Sequence, residues 1–83
     1  MRNETKYLLF GSPTCMPCKN LKGILPVMNF EFEYKDVFEN PELAAEHMVM
    51  STPTMVKFVN GQKVATKVGQ GEIMKFVDEE QNK

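Results

Sequence analysis

Two cysteines, Cys15 and Cys18, are the only thiols in the chain, and Met16-Pro17 lies between them. A disulfide that staples a fold joins cysteines far apart in sequence, because its benefit grows with the length of the closed loop. A separation of three residues points to chemistry instead. At the start of a helix, unpaired N–H groups and a partial positive charge favour thiolate over thiol, bringing a cysteine pKa from about 8.5 into the range of roughly 3.5 to 7.5. Cys15, first in the pair, receives most of this field. Cys18 lies one helical turn on, where it can attack a mixed disulfide formed at Cys15 and close a small ring. Cys15 is therefore the candidate nucleophile and Cys18 the resolving thiol. The plain alternative is a pair of inert, packed cysteines. A zinc or iron-sulfur site needs about four ligands. The chain adds only His47, on another segment, so no metal is expected within one chain; a cluster shared by two chains would satisfy the count.

Exchange chemistry of this kind requires the pair to stand where a strand hands over to a helix, and the pattern of residues provides both. Residues 6–10 form a short apolar run ended by Gly11-Ser12-Pro13, which reads as a buried strand and a loop. Cys18, Leu21, Leu25 and Met28 then recur at helical spacing, with Pro17 in the first turn and Gly23 and Pro26 limiting the helix to two or three turns. Phe30, Phe32 and Tyr34 alternate with Glu31, Glu33 and Lys35, as in an edge strand. Asn40-Pro41-Glu42 reads as N-cap, first helical position and dipole-favoured acid of a short helix ending near Val49, with Leu43, Ala44, His47 and Met48 inward. His47 reads as a packed helix residue, not a catalyst. Asn60-Gly61 joins two strand-like runs, 54–59 and 62–68, as an antiparallel hairpin. Beyond Gly69-Gln70-Gly71, Ile73, Met74, Phe76 and Val77 line a last helix, with residues 78–83 expected to fray. The order is βαβαββα, an α/β fold with a four-stranded mixed sheet and three helices.

At 83 residues the chain is expected to form one domain over 1–83, with the composition of a globular protein at 42% hydrophobic and 25% charged. Ten basic against eleven acidic side chains, with no basic tract, make nucleic acid a poor partner. The apolar run 7–10 is too short for a secretory core and far below the roughly 18 residues of a membrane span. The expectation is a cytoplasmic monomer without membrane contact.

The segments FGSPTCMPCK (10–19), Asn40-Pro41-Glu42-Leu43, Ser51-Thr52-Pro53-Thr54 and VNGQKVATKVG (59–69) together resemble thioredoxin over nearly the whole chain. The resemblance implies a thioredoxin fold and a thiol-disulfide oxidoreductase that reduces protein disulfides through Cys15 and Cys18. It implies a cis peptide bond before Pro53. It also implies a substrate-binding rim of Thr14, Met16, Pro17, Thr52, Pro53 and Gly69, with the Thr52 backbone pairing an extended piece of substrate. No cofactor is implied beyond the Cys15–Cys18 disulfide, and thioredoxin reductase is the implied electron donor.

Departures from the family pattern matter equally. The chain starts at the strand before the motif, which gives it a minimal, glutaredoxin-like size. Thr14 replaces a tryptophan and Met16 a glycine, altering the partner surface. Leu9 stands where thioredoxins bury an aspartate behind the second cysteine, and Tyr34 stands where they place that aspartate's lysine partner. Deprotonation of Cys18 is then expected to pass through water or a nearby lysine, with slower resolution than in thioredoxin. Glutaredoxins and the redoxins of ribonucleotide reductase are the rival readings, although the Cys-Pro-Tyr-Cys centre of glutaredoxins is absent. A purely structural module is the non-enzymatic one. Of the seven methionines, Met48, Met50 and Met55 are expected to fill core, with Met16 partly exposed toward a partner.

Overall fold

β1 (Thr5–Gly11) becomes fully buried toward its C-terminal end, and the other elements assemble around it in a computed structural model that describes residues 3–83. It pairs in parallel with β2 (Glu33–Asp36) on one side and antiparallel with β3 (Thr54–Val59) on the other. β4 (Gln62–Val68) completes a sheet of order β2-β1-β3-β4. Three helices, α1 (Met16–Val27), α2 (Pro41–Glu46) and α3 (Gln70–Gln81), fall between and after the strands in the expected order.

Alternation along the two central strands divides the core. Leu9 and Met55 face α1 and α3, packing with Leu21, Leu25, Phe30, Ile73, Phe76 and Val77. Phe10 and Val56 point the other way and pack with Ala44 of α2. Leu9, Met55, Leu21, Leu25, Ile73 and Val77 lose all solvent contact, a stabilisation of about 1.5–3 kcal/mol each. The central strands thus read as continuous apolar runs because both faces are covered.

Local signals set the boundaries. Asn60 and Gly61 have φ of 53° and 83°, the pair of positive values a type I′ turn needs. Asn29 (φ 58°) ends α1 in the left-handed region, and the Phe30 N–H reaches back to the Leu25 carbonyl at 3.0 Å. Pro26 is tolerated inside the last turn of α1.

Four expectations need correction. The alternation across 30–35 becomes strand only at Glu33–Asp36, because β2 pairs with β1 alone and that pairing begins at Glu33. Asn40 is the N-cap of α2 as expected, with Pro41 and Glu42 in the first turn, although its side chain makes no cap hydrogen bond and its Nδ2 donates to the Asp36 carbonyl at 3.0 Å. α2 stops at Glu46, and Met48, with φ of 55°, turns out into solvent. Met50 is also exposed, so core filling holds for Met55 but not for these two. Finally, α3 does not fray at 78 but runs to Gln81, because Glu80 is anchored.

The Glu80 carboxylate accepts from the Tyr7 hydroxyl at 2.6 Å and from the ammonium groups of Lys57 and Lys83. Its side chain is only 7% exposed. Burial alone would raise its pKa, but hydrogen bonds from Lys57, Lys83 and Tyr7 outweigh burial and pull it down to about 2. Tyr7 is pushed up by burial and by the same carboxylate. A bulge beside this site, where Lys57 pairs with Ala65 and Phe58 with Lys63, leaves Val64 as the extra residue, turned into solvent. Among the described residues no helix is long and apolar enough to cross a membrane.

A carboxyl with a depressed folded pKa contributes stability that is present above its unfolded value and lost as pH falls through the folded one. Glu80→Gln should cost roughly 3 kcal/mol at neutral pH by stranding Lys57. Its deficit against the parent should shrink as pH falls from the ordinary 4.5 to about 2. Urea denaturation of both proteins across that window measures it; a deficit that stays constant would remove Glu80 as the source.

Candidate functional site

The strand that delivers the cysteines ends at Gly11, and the next residues turn at once. The Cys15 N–H donates to the Ser12 carbonyl at 3.2 Å, and both residues are almost buried. Cys15 is the N-cap of α1, with extended backbone (φ −94°, ψ 109°) and Pro17 behind it in the first turn. Its Sγ accepts from the Cys18 N–H at 3.2 Å, the position a capping oxygen usually takes. No acidic residue sits in the first turn of α1 to offset the positive end of the helix.

Cys15 and Cys18 are joined in a disulfide, their Cα atoms 5.2 Å apart. The two sulfurs differ in access: Cys15 is 9% exposed and Cys18 0%. A reagent can reach only the first.

Sheet register brings a second loop to the same edge. Phe10 pairs with Thr54, and Thr54 with Val68, so the residues preceding Thr54 and following Val68 lie beside the end of β1. The Thr52–Pro53 peptide bond is cis. Thr54 is buried and its Oγ1 donates to the Ser51 carbonyl at 2.7 Å, tying the loop together. The Gly69 N–H donates to the Pro53 carbonyl at 2.9 Å. With φ of 94°, Gly69 holds a backbone conformation that side chains strongly disfavour. Thr14, Met16 and Pro17 are exposed, Thr52 and Gly69 half-buried, and Pro53 buried. His47 lies on the other face of the sheet, its ring 6.1 Å from Phe10 and 5.1 Å from Phe58 by centroids.

The family model described as Glutaredoxin matches residues 7–64, well over half of the chain. The chain belongs to the thioredoxin–glutaredoxin family. It is 39% identical over 66 residues to a thioredoxin of Staphylococcus aureus (strain Mu50 / ATCC 700699), covering 72% of this chain and 64% of that protein. The chain thus spans a little under two thirds of the curated relatives it matches. A mutant thioredoxin from Halobacterium salinarum superposes with a TM-score of 0.80 at 28% identity, covering 92% of this chain and 71% of that one. Fasciola hepatica thioredoxin gives 0.78 at 23% identity, with 92% of this chain and 80% of that one covered, a likeness of fold alone.

Members of this family use a redox-active disulfide with no further cofactor. Among the described residues no three His, Cys, Asp or Glu side chains are grouped so as to hold a metal ion.

Leu9 is completely buried among apolar neighbours, so its side chain brings no charge. Tyr34, its register partner on β2, reaches toward the pair. A β-carbon added at Gly11 would lie 2.6 Å from the Tyr34 hydroxyl oxygen and 3.1 Å from Cys18 Cβ. The Lys22 ammonium lies over the Tyr34 ring, 4.0 Å from its centroid. Gly11, Ser12 and Thr54 escaped the sequence reading as site residues. A glycine just before the motif was the available signal for the first.

Gly11→Ala should therefore destabilise the protein by about 1–3 kcal/mol, the usual range for overpacking. Tyr34→Phe should recover part of this loss by removing the nearest atom. Thermal denaturation of the two single variants and the double variant measures the coupling; strict additivity would show that the two positions do not compete for space.

Proposed function

We propose that the chain carries two electrons as the Cys15–Cys18 dithiol/disulfide pair and reduces disulfides in other proteins. The observation that carries this reading is the placement of Cys15 as N-cap of α1, disulfide-bonded to a Cys18 that solvent does not reach. In the reduced form the helix terminus and the Cys18 N–H favour the Cys15 thiolate. That thiolate attacks one sulfur of a substrate disulfide. A Cys15–substrate bond forms, the substrate's S–S bond breaks, and the departing sulfur leaves with the electron pair and takes a proton from water. Cys18 then loses its proton and attacks Cys15 Sγ, releasing the second substrate sulfur and closing the internal disulfide.

Thr14, Met16, Pro17, Thr52, Pro53 and Gly69 are assigned the substrate rim. The half-buried Thr52 backbone is suited to pair with an extended segment, and the exposed Met16 supplies an adaptable apolar contact. The setting proposed is the cytoplasm, the state a monomer, and the electron donor thioredoxin reductase. The likeness to the Staphylococcus aureus thioredoxin supports that donor. The match to the Glutaredoxin family model favours a second reading, with glutathione as donor.

Two NADPH-coupled assays separate these readings, one with thioredoxin reductase and one with glutathione plus glutathione reductase. Fast turnover with the first alone is expected. Turnover with glutathione alone would reverse the assignment, and reduction by neither would reject disulfide exchange. Cys15→Ser should abolish turnover, and Cys18→Ser should trap substrate as a mixed disulfide on Cys15, visible as a mass adduct.

A further inference from the structure

We propose that the Tyr34 hydroxyl donates a hydrogen bond to the Cys18 thiolate during resolution, filling the place left without a carboxylate at Leu9. The inference rests on the exchange chemistry proposed above and assigns to it a residue outside the cysteine motif.

Placement comes first. Gly11 has no side chain, and the point its β-carbon would occupy lies 2.6 Å from the Tyr34 oxygen and 3.1 Å from Cys18 Cβ. The phenol oxygen and the resolving cysteine therefore flank one small space, open only because residue 11 is glycine. β1 brings the apolar Leu9 and Gly11 to this space, and across the sheet β3 brings Met55. The charged groups close to the phenol are Lys22 of α1, stacked over the ring, and Asp36 of β2. The Lys22 ammonium is thus engaged with the ring face, which holds the phenol in position.

Protonation comes second. Burial, and then the charge of Asp36, raise the Tyr34 pKa above its ordinary value, so the phenol keeps its proton at neutral pH and acts as a donor. The other tyrosine differs in this respect. Tyr7 spends its O–H on Glu80, whereas the Tyr34 O–H has no protein acceptor among the described residues. Once reduction separates the sulfurs, Cys18 Sγ is an acceptor within the same space.

The step balances as follows. Once the sulfurs have separated, the Cys18 thiol gives its proton to a water that enters beside it, and the resulting thiolate accepts the Tyr34 O–H. Cys18 Sγ then attacks Cys15 Sγ, and the electron pair of the breaking Cys15–substrate bond leaves with the substrate sulfur, which is protonated by water. Tyr34 keeps its proton throughout and lowers the free energy of the thiolate.

The Cys15→Ser variant leaves Cys18 as the sole thiol, and its thiolate absorbance in the ultraviolet can be titrated directly. Adding Tyr34→Phe, which keeps the ring and removes the hydroxyl, should raise the Cys18 pKa by about one unit, the usual worth of a hydrogen bond to a charged group. An unchanged or lowered value overturns the proposal, since a purely structural role for the ring leaves the titration where it was. Site-specific 3-fluorotyrosine at position 34, a stronger donor of almost the same shape, should lower the Cys18 pKa, and absence of that shift also overturns it. This second variant decides the matter if Tyr34→Phe does not fold. Neither readout requires turnover, so failure of the protein-reductase reading is seen separately, in the coupled assays.

Discussion

The functional end of the molecule depends on how closely β1, β2 and α1 approach one another at Gly11. β1 is covered on both faces as it nears this point, and the chain must leave it, turn, and start a helix within four residues. A side chain at position 11 would meet Tyr34 on one side and Cys18 on the other. Its absence lets α1 settle low enough for Cys18 to be sealed by packing while Cys15 keeps a small opening to solvent. The capping geometry follows from the same descent. With the Cys15 N–H fixed to Ser12, its sulfur is directed at the first free N–H groups of the helix. Strand, glycine, cap and sulfur form one chain of consequences.

Burial and the helix terminus act in opposition on the two thiols. Removal from water disfavours a thiolate, while the terminus and its N–H groups favour one. At Cys15 some solvent remains and the Cys18 N–H points at the sulfur, both of which work in the direction the proposed exchange chemistry needs. At Cys18 no solvent remains, and the buried cluster formed by its helix neighbours Leu21 and Leu25 with Leu9 and Met55 is apolar. The buried charge of this fold lies elsewhere on the sheet. Tyr7 and Lys57 are direct partners across β1 and β3, and Glu80 reaches both from α3. That cluster fixes the C-terminal helix to the sheet, two residues along each strand from Leu9 and Met55. The complete burial of Cys18 makes any single polar group near it count for more, because fields there are weakly screened.

Much of this was legible in the sequence where a local signal coincided with the tertiary one. The Asn60-Gly61 turn, the Cys18-Leu21-Leu25 stripe and the apolar run of β1 each matched what packing required. The fold order followed from them. What was missed depends on partners distant in sequence. Glu80 lies in a run of charged residues that reads as a solvated tail, and the positions of Tyr7 and of Lys57, 23 residues earlier, turn it inward. The stop of α2 at Glu46 comes from a left-handed Met48, a residue type that gives no warning of it. Tyr34 could be located as a replacement for a lysine, but that its hydroxyl and the resolving cysteine flank Gly11 from two sides is visible only in three dimensions. Thr54 and Ser12 work through backbone carbonyls, which no side-chain pattern reports.

The rim around the sulfurs is built from short loops, yet hydrogen bonds interlock them. Register alone brings the ends of β1, β3 and β4 to one edge, since Phe10, Thr54 and Val68 follow one another across the sheet. The Gly69 N–H bound to the Pro53 carbonyl then joins the second and third ends, and Thr54 Oγ1 closes the 51–54 loop on itself. These bonds use groups that the ladder leaves over at strand ends, so rigidity is obtained without lengthening any strand. Thr52 at the strand mouth stays half-buried, and Met16 is exposed with three bonds free to rotate. A fixed backbone edge next to an adaptable side chain is the combination that the proposed substrate rim would need to accept extended segments while holding one sulfur in line with another. On the proposed reading, selectivity falls to the exposed side chains of this edge, Thr14 and Met16 among them.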